Sequence, residues 1–512
     1  MRELIELREN KRFFDNETGP LLRSFFPKSR LLVYCDGALL GRESTDEKAE
    51  REAVKPSAVL SINYSDDVAS MHFFYDGKSD EISCPAEKNA VKRSLYSVVS
   101  NLTGRSLPWG STTGIRPTKE ALVMRQQGKS ADEIRKFYSE KYYTSPAKIN
   151  ESIEIAEAEK QILSHFPNTE SFEGHSDYNL QTNGYSLYLG VLFCPSICLY
   201  CSFSSHQIDA YSSLVPGYIA ALKKEIDFVA ERFNNRRLDC IYFGGGTPTT
   251  LSAAELDDIF SYIERKLDLS HLAEYTVEAG RPDSITADKL KVMKKHGITR
   301  ISVNPQTMNQ KTLDLIGRRH TVQDILSAYE LARSFDFSCI NMDMILGLPG
   351  ESIEDIRHTL SELKRLSPDN LTVHSLAIKT AARLRLEWDK YEDLDFTNSV
   401  AVMDEALSTG REMGMHPYYL YRQKGMAGNM ENVGYAKPGK AGVYNILIME
   451  EVQTIVACGA GSSTKRVWAM PNPDGTHRIE RCENVKDVGQ YIDRIDEMIE
   501  RKRRLFEDSF ED

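Results

Sequence analysis

Three of the nine cysteines lie close together in the chain, at Cys194, Cys198 and Cys201. Their spacing, C-x3-C-x2-C, offers three soft thiolate ligands within one short segment, which suits an iron–sulfur cluster or zinc. A structural zinc site has four protein ligands, and the nearby His206 is the candidate for the fourth. The chain is long, its cysteine count is odd and its start lacks a signal peptide, so the remaining cysteines are interpreted as separate thiols rather than disulfides.

Further residues that could bind a cofactor follow the predicted strands of the middle region. They are Gly244, Gly245, Gly246 and Thr247, then Glu278, Gln306, Arg318 and Asp343. Glycines allow a backbone to approach a ligand closely, and a guanidinium can bind a carboxylate through two hydrogen bonds. Carboxylate and amide oxygens such as those of Asp343 and Gln306 can accept from sugar hydroxyls. Since these residues lie near the ends of strands, we expect them to converge on one crevice.

Strand and helix patterns alternate through the middle of the chain. The strand candidates are Tyr185–Phe193, Cys240–Phe243, Tyr275–Glu278, Arg300–Val303, Ile340–Ile345 and Asn370–His374. The helix candidates are Pro216–Phe233, Ala253–Lys266, Ala287–His296, Val322–Phe335 and Ile353–Leu366. This alternation predicts an α/β fold with a parallel sheet and right-handed connections. Six units are fewer than the eight of a closed barrel, so we predict an open, partial (β/α)6 barrel.

The position of the cysteines relative to these strands favours an iron–sulfur cluster over zinc. They directly follow the first strand, and folds of this kind carry their chemistry at the carboxyl ends of the strands. Three protein ligands on a four-iron cluster leave one iron open to a second cofactor. For His206, the alternative to a zinc ligand is a polar loop residue.

Two further regions flank the predicted barrel, which spans residues 181–380. Residues 1–180 are predicted to form an α+β domain, with strands followed by helices and a turn-rich linker at Pro167–Asn183. Residues 381–512 are predicted to form a smaller mixed domain, with strands at Tyr418–Tyr421, Tyr444–Met449 and Gln453–Val456 and helices at Phe396–Met413 and Val485–Leu505. The glycine-containing stretch Gly425–Gly442 is either a functional loop or a surface connection.

Composition excludes several classes of function. The net charge is −11 and no basic stripe is present, so a dedicated nucleic-acid binder is not indicated. No apolar run is long enough to predict a membrane span, and the start of the chain lacks the apolar core of a signal peptide. The expected location is therefore the cytoplasm.

The cysteine segment resembles the hallmark of the radical S-adenosylmethionine (SAM) superfamily, in which an aromatic residue precedes the third cysteine, as Tyr200 does here. The resemblance implies a [4Fe-4S] cluster on the three cysteines, with the open iron bound by the amine and carboxylate of SAM. It also implies that Tyr200 contacts the adenine. The Gly244–Gly246 turn is similar to the superfamily's glycine motif, whose backbone meets the methionine amine.

The ordered series of motifs resembles one branch, the oxygen-independent coproporphyrinogen III oxidases and their relatives. The matching residues are Gly244–Pro248, Glu278, Gln306, Arg318 and Asp343, and the N-terminal run Gly114–Lys119 matches the longer HemZ-type coproporphyrinogen dehydrogenases. The resemblance implies a radical SAM oxidoreductase that decarboxylates the propionates of coproporphyrinogen III to vinyl groups in anaerobic haem biosynthesis. It implies an electron donor such as flavodoxin or ferredoxin, with Arg318 on the SAM carboxylate and Glu278 holding that arginine.

One position departs from the well-understood oxidases of this branch. They carry a further cysteine two residues after the third ligand, where this chain has Phe203. Relatives with phenylalanine there include haem chaperones, so a haem-binding chaperone is the second hypothesis and a radical enzyme that acts on haem is the third. Basic candidates for contact with the propionates are Arg116, Lys119, Arg422 and Lys424, with solvated surface charge as the alternative role.

Overall fold

The computed structural model of the protein describes residues 3–27, 29–40, 55–165, 180, 183–379, 381–423, 426, 430–472 and 477–507. The chain divides into two compact units, one of residues 1–156 and 421–431 and the other of residues 157–420 and 432–512. The predicted linker Pro167–Asn183 lies outside the described residues except for Leu180 and Asn183. The three-part division of the chain at residues 180 and 380 stays a prediction.

The first unit is built on a mixed sheet. Its strands are β1 (Leu4–Glu9), β2 (Arg30–Cys35), β3 (Ala38–Leu40), β4 (Ala58–Ser65), β5 (Val68–Tyr75) and β6 (Lys78–Pro85), in the spatial order β3-β2-β1-β4-β5-β6. Strand β1 is parallel to β2 and β4, while β4, β5 and β6 form an antiparallel meander. Buried and exposed side chains alternate along β4 and β5, so one face of the sheet packs on the core.

The helices of this part of the chain are α1 (Asp15–Phe25), α2 (Lys88–Thr103), α3 (Lys119–Gln126), α4 (Ala131–Tyr142) and α5 (Pro146–His165). The sequence predicts strands at Arg30–Tyr34, Ala58–Tyr64 and Ser70–Tyr75 and helices at Ala86–Leu102, Thr118–Gln127 and Ala147–Phe166. The structure has a strand or a helix at each of these places, with small shifts at the ends. The sequence did not predict β6, because polar side chains fill this largely exposed strand. It also did not predict α1, which contains both Gly19 and Pro20, residues that disfavour a helix interior.

Residues 421–431 belong to the first unit through buried polar contacts. Trp109 Nε1 donates to Glu431 Oε2 at 2.7 Å, and the Glu431 side chain is fully buried. Arg422 Nη1 donates to the carbonyl oxygen of Thr112 at 2.8 Å. Arg422 is also buried, so the structure is inconsistent with the solvated-surface role considered for this arginine.

The second unit is built on one large sheet whose middle strands are parallel. Its strands are β7 (Gly184–Val191), β8 (Phe193–Cys194), β9 (His206–Gln207), β10 (Arg237–Gly245), β11 (Glu274–Val277), β12 (Arg300–Ser302), β13 (Cys339–Leu346), β14 (Asn370–Ser375), β15 (His416–Tyr421), β16 (Asn432–Ala436), β17 (Ile455–Cys458), β18 (Ser463–Pro471) and β19 (His477–Glu483). Apart from the small β8–β9 pair, their order is β15-β16-β14-β13-β12-β11-β10-β7-β17-β18-β19. Strands β7 and β10 to β14 are parallel neighbours, which confirms the predicted parallel sheet of an α/β partial barrel.

The helices of the second unit lie largely between these strands in the chain. They are α6 (Ile208–Tyr211), α7 (Val215–Arg232), α8 (Ala253–Lys266), α9 (Ala287–Lys295), α10 (Gln310–Leu315), α11 (Val322–Arg333), α12 (Ile353–Leu366), α13 (Arg383–Leu386), α14 (Val400–Glu412), α15 (Val443–Glu450), α16 (Val488–Asp493) and α17 (Ile495–Leu505). Capping boxes at Ser252, Thr321 and Ser352 begin α8, α11 and α12. Each box satisfies backbone donors at the start of its helix, which explains why the sequence located these starts well.

The C-terminal region differs from the prediction in three places. Tyr444–Met449, predicted as a strand, lies in helix α15, because a short apolar run reads alike for a strand and a buried helix. The helix predicted at Val485–Leu505 is two helices, α16 and α17. The predicted loop Gly425–Gly442 contains strand β16, while its residues 425 and 427–429, like Lys424 before it, lie outside the described residues. Among the described residues, no helix combines the length and apolar character needed to cross a membrane.

A fully buried carboxylate joins α7 to the C-terminal end of the described chain. Glu225 Oε2 accepts from the backbone N of Gly459 at 2.7 Å, and Glu225 Oε1 accepts from Asn484 Nδ2 at 2.9 Å. The Tyr491 hydroxyl and the Lys502 ammonium also donate to Glu225. The side chains of Glu225 and Lys502 are both fully buried, so each charge depends on the other for compensation.

The same region fixes the end of β7, which leads to the cysteines. Strand β17 is parallel to β7 on the side opposite β10. Tyr218 OH donates to the Gly190 carbonyl at 2.6 Å and accepts from Ala460 N at 3.0 Å. A Cβ atom on Gly459 would lie 2.3 Å from the Gly190 carbonyl oxygen, so only glycine fits at this close approach.

Replacing Lys502 tests this buried pair. Lys502→Met should destabilise the second unit by about 3–5 kcal/mol, because it leaves the Glu225 carboxylate buried without a cation. Arg503→Met is the matched control, since Arg503 pairs with Glu231 at 3.3 Å on the exposed surface and should contribute at most about 1 kcal/mol. Urea denaturation followed by circular dichroism measures both. Equal denaturation midpoints for the two variants would show that the buried pair does not stabilise the fold.

Candidate functional site

The cysteine segment lies at the end of β7 and is held by backbone hydrogen bonds to two other loops. The turn after β10 contacts it from one direction, where Gly246 N donates to Val191 O and Thr247 N donates to Phe193 O at 2.8 Å. The loop after α10 contacts it from another, where Leu199 N donates to Ile316 O at 2.9 Å. These bonds fix the backbone that carries all three thiols.

The three thiols are largely withdrawn from solvent and close enough to influence one another. Burial raises the pKa of Cys194 to about 11, against a hydrogen bond that Thr247 Oγ1 donates to its Sγ at 3.4 Å. The charges of Cys201 and Cys198 raise it further. Burial also raises the pKa of Cys201. Three thiolates in this place would therefore need a cationic partner such as iron.

The zinc alternative requires His206 as a ligand beside the three cysteines. No group of three or more His, Cys, Asp or Glu side chains in the described part of the chain, the three cysteines included, forms a preformed site for one metal ion. His206, the candidate fourth ligand, lies in β9, where it pairs with Phe193. Its ring packs 4.4 Å from that of Tyr211, measured between centroids.

The glycine turn at the end of β10 lies between the cysteine segment and Glu278. A Cβ on Gly246 would lie 2.7 Å from Phe193 O and 3.0 Å from Cys194 Sγ. A Cβ on Gly244 would lie 2.7 Å from Glu278 Oε2, and Gly245 has a φ of 107°. The backbone at this turn therefore approaches its neighbours as closely as glycine alone permits.

Glu278 directly follows β11 and is half-buried. Its carboxylate accepts hydrogen bonds from the Tyr242 hydroxyl and from Gly245 N, the latter at 3.3 Å. Burial raises the pKa of Glu278 to about 7, although the Tyr242 hydrogen bond lowers it.

The structure does not show the expected contact between Glu278 and Arg318, and each of these side chains has other partners. Arg318 Nη1 donates to the Asn304 carbonyl at 2.6 Å and Nη2 donates to Tyr200 OH at 3.4 Å. Arg318 is thus joined to the aromatic residue of the cysteine segment rather than to the carboxylate. Burial tends to lower the pKa of Arg318, but interactions with Tyr200 and Cys198 raise it overall.

Gln306 and Asp343 are neighbours across adjacent strands. Gln306 N donates to Asp343 O at 2.9 Å, and Gln306 has a φ of 68°, which is unusual for a residue other than glycine. Asn341 Nδ2 donates to Asp343 Oδ1 at 2.7 Å, and His374 Nε2 lies 3.8 Å from Asp343 Oδ2. Burial raises the pKa of Asp343, but the interactions with His374 and Asn341 outweigh it and hold the pKa below its usual value.

Comparison of the sequence with known proteins assigns the chain to a family. Residues 189–363 match the description "Radical SAM superfamily". The chain is 36% identical over 442 residues to the oxygen-independent coproporphyrinogen-III oxidase-like protein HemZ of Bacillus subtilis, covering 86% of this chain and 85% of that protein. The chain belongs to this radical SAM family.

Two other groups of the family match over a shorter length. The haem chaperone HemW of Bacillus subtilis is 35% identical over 38% of this chain and 51% of its own length. The oxygen-independent coproporphyrinogen III oxidase of Escherichia coli is 29% identical over 38% of this chain and 42% of its own length. The chain therefore spans about half the length of each, and these similarities do not separate the activity of one from that of the other.

The side chains present fit the two groups that the superfamily implies, a [4Fe-4S] cluster and SAM. One buried and two half-buried thiols supply soft ligands for iron. Buried polar atoms without a hydrogen-bond partner in the described residues include Arg318 Nε, Asn304 Oδ1 and Gln306 Oε1. The Arg318 donor could pair with the carboxylate of SAM, and the two oxygen acceptors could pair with its amine and hydroxyl groups.

Several residues of the site were not predicted from the sequence. Tyr242 contacts Glu278, His374 contacts Asp343, and Arg281 contacts the cysteine segment. Tyr242 and His374 lie in predicted strands, where side chains alternate between the two faces of the sheet. Nothing in the sequence marks these two residues as facing the site. For Arg281 a signal exists, since it lies in the same post-strand loop as Glu278, three residues further on.

The raised pKa of Glu278 predicts a pH-dependent stability. Because its pKa is about 7 when folded against 4.5 for the ordinary carboxyl, the folded protein retains a proton that the unfolded chain releases between these values. The stabilisation is complete below pH 4.5 and is lost as the pH rises through 7, a change of about 3 kcal/mol. Glu278→Gln should remove this loss, whereas Tyr242→Phe should enlarge it by removing a hydrogen bond to the carboxylate. Urea denaturation of the apoprotein from pH 4.5 to 8 measures these slopes, and identical slopes for wild type and Glu278→Gln would contradict the prediction.

Proposed function

We propose that the protein is a radical SAM oxidoreductase that converts coproporphyrinogen III to protoporphyrinogen IX in anaerobic haem biosynthesis. The observation that carries the proposal is the junction of the cysteine segment, the glycine turn and Glu278 on adjacent strands of a chain that resembles HemZ over most of its length. The catalytic residues that contact the porphyrinogen are not part of the proposal.

In this proposal, the cysteine segment holds the cluster through Cys194, Cys198 and Cys201. The protein contributes burial and hydrogen bonds, since Thr247 donates to Cys194 and Ser205 lies 3.8 Å from Cys201, measured between Oγ and Sγ. When bound and reduced by a donor such as flavodoxin or ferredoxin, the cluster and SAM supply homolytic cleavage of a carbon–sulfur bond and a hydrogen-abstracting radical. Burial of the site keeps water away from that chemistry.

The remaining predicted residues would bind and orient SAM. The Arg318 guanidinium, whose Nε has no partner among the described residues, would bind the methionine carboxylate. The backbone at Gly244, Gly245, Gly246 and Thr247 and the Glu278 carboxylate would meet the methionine amine. Tyr200 would contact the adenine, and the oxygens of Gln306 and Asp343 would accept from the ribose hydroxyls.

The substrate assignment follows from the family. Each of two propionates on coproporphyrinogen III would lose a hydrogen atom from its β-carbon, carbon dioxide and one electron, which leaves a vinyl group. The electron removed from the substrate requires an acceptor, and the radical that takes the hydrogen atom is the oxidant for the first half of each event.

A haem chaperone of the same family is the second candidate. The observation that favours it is Phe203, which takes the place of the further cysteine of the well-understood oxidases and is 72% exposed. An exposed aromatic ring beside the cysteine segment could contact a flat macrocycle such as haem. The 35% identity to HemW of Bacillus subtilis is consistent with this alternative.

Cysteine replacement tests the cluster. Alanine at Cys194, Cys198 or Cys201 should remove most of the iron after anaerobic reconstitution, together with the visible sulfur-to-iron absorption, because a ligand is lost. Cys240→Ala is the matched control, since Cys240 is a fully buried thiol within strand β10. Iron and sulfide analysis provides the measurement. A full cluster in all three ligand variants would contradict the assignment.

An anaerobic assay tests the reaction. Reduced holoprotein, SAM and coproporphyrinogen III should yield 5′-deoxyadenosine and a porphyrin product that has lost two carboxyl groups, read by mass. Formation of 5′-deoxyadenosine without that product would reject the oxidase but keep the superfamily chemistry. Stoichiometric haem binding without any decarboxylated product would favour the chaperone, and altered haem in place of porphyrinogen would indicate a radical enzyme acting on haem.

A further inference from the structure

A buried arginine outside the predicted site lies against the cysteine segment. Arg281 is 3% exposed and follows β11 in the same loop as Glu278. Its Nη1 donates to Ser196 Oγ at 3.1 Å and lies 3.7 Å from Cys198 Sγ, within hydrogen-bonding distance for sulfur. Arg281 Nη1 also lies 3.5 Å from the Ser196 carbonyl oxygen. One guanidinium nitrogen thus contacts the backbone, a hydroxyl and a thiol of this segment.

Asp283 fixes the other edge of the same guanidinium. Arg281 Nε donates to Asp283 Oδ1 at 2.9 Å and Nη2 donates to Asp283 Oδ2 at 2.7 Å, the two-bond arrangement that restricts orientation most strongly. His320 Nδ1 lies 3.6 Å from Asp283 Oδ1, so an imidazole ring also borders the carboxylate. The position of Arg281 Nη1 beside Cys198 is therefore imposed by Asp283 and not by the thiol alone.

The two buried arginines of the site differ in what they leave open. Arg318 also interacts with Cys198, but its Nε has no hydrogen-bond partner among the described residues and is available to bind a ligand. All three guanidinium nitrogens of Arg281 are engaged by Asp283, Ser196 and Cys198. Arg281 therefore has no nitrogen left uncommitted for SAM or for a substrate, and its charge acts on the cysteine segment.

We propose that Arg281, oriented by Asp283, is a positioning residue that raises the reduction potential of the cluster through its hydrogen bond to Cys198 Sγ. The inference rests on the proposed function, because it requires Cys198 to be a cluster ligand. A reduced cluster carries one more negative charge than an oxidised one, so a nearby buried cation and an N–H to the ligand sulfur stabilise the reduced state. The contacts of Arg281 with Ser196 also hold the loop between the first and second cysteines.

Potentiometric titration of the reconstituted holoprotein, read by electron paramagnetic resonance in the absence of SAM, tests this inference. Arg281→Gln removes the charge, and the ratio of reduced to oxidised cluster at a fixed potential should fall about tenfold, which corresponds to 59 mV for one electron. Arg281→Lys keeps the charge but loses the planar fork, so a smaller fall is expected.

Arg333→Gln is the matched control, since Arg333 on α11 forms its own pair with Asp369 at 2.6 Å. Its titration should coincide with that of the wild type. Wild-type potential in Arg281→Gln with a full cluster would overturn the inference. If that variant retains no cluster, Arg281→Lys decides, and a wild-type potential in Arg281→Lys would overturn it. A wild-type protein that assembles no [4Fe-4S] cluster would overturn the proposed function. A normal cluster whose potential is unchanged in Arg281→Gln would overturn only this inference, so the two failures can be told apart.

Discussion

The pairing of β7 with β10 is the constraint on which the site depends. In a parallel sheet, neighbouring strands end at the same edge, so the cysteine segment after β7 and the glycine turn after β10 are forced together. The hydrogen bonds from Gly246 and Thr247 to the backbone around Phe193 follow from this adjacency. Because the approach is so close, the turn tolerates no side chain at Gly246. The position of the three cysteine thiols is thus set by backbone geometry before any cofactor is considered.

A stack of three tyrosine rings adjoins Glu278 near this edge. The rings of Tyr188, Tyr242 and Tyr444 are stacked, with centroid separations of 6.2 Å and 4.5 Å. Tyr242 at the centre of the stack donates to Glu278, which links the packing of the barrel to the carboxylate at its edge. A rigid base of this kind limits the movement of Glu278 and keeps its charge in a poorly solvated place, which is why burial dominates its pKa.

Much of this arrangement could be predicted from the sequence because it depends on local patterns and on the order of strands. The C-x3-C-x2-C spacing, the glycine turn and the alternation of strand and helix all lie in short segments, and parallel strand order then brings their ends together. The contact predicted between Glu278 and Arg318 is not found, and their actual partners, such as Tyr242 for Glu278 and the Asn304 carbonyl for Arg318, could not be predicted, since partners inside a crevice depend on loop paths and rotamers. Arg281 could not be predicted for a related reason, since a charged residue is expected on the surface and only the structure shows that Arg281 is buried beside Asp283. Helix α15 was misread because Ile446 and Leu447 are compatible with either periodicity.

Strand β17 has a consequence for the order in which the protein is made. It covers the free edge of β7, and it lies more than half the chain later in sequence, at Ile455–Cys458. A nascent chain still lacking these residues on the ribosome has β7 as an edge strand, without the buried Glu225 network that holds its neighbourhood together. The surroundings of the cysteine segment are therefore complete only after Lys502 has been made and has paired with Glu225.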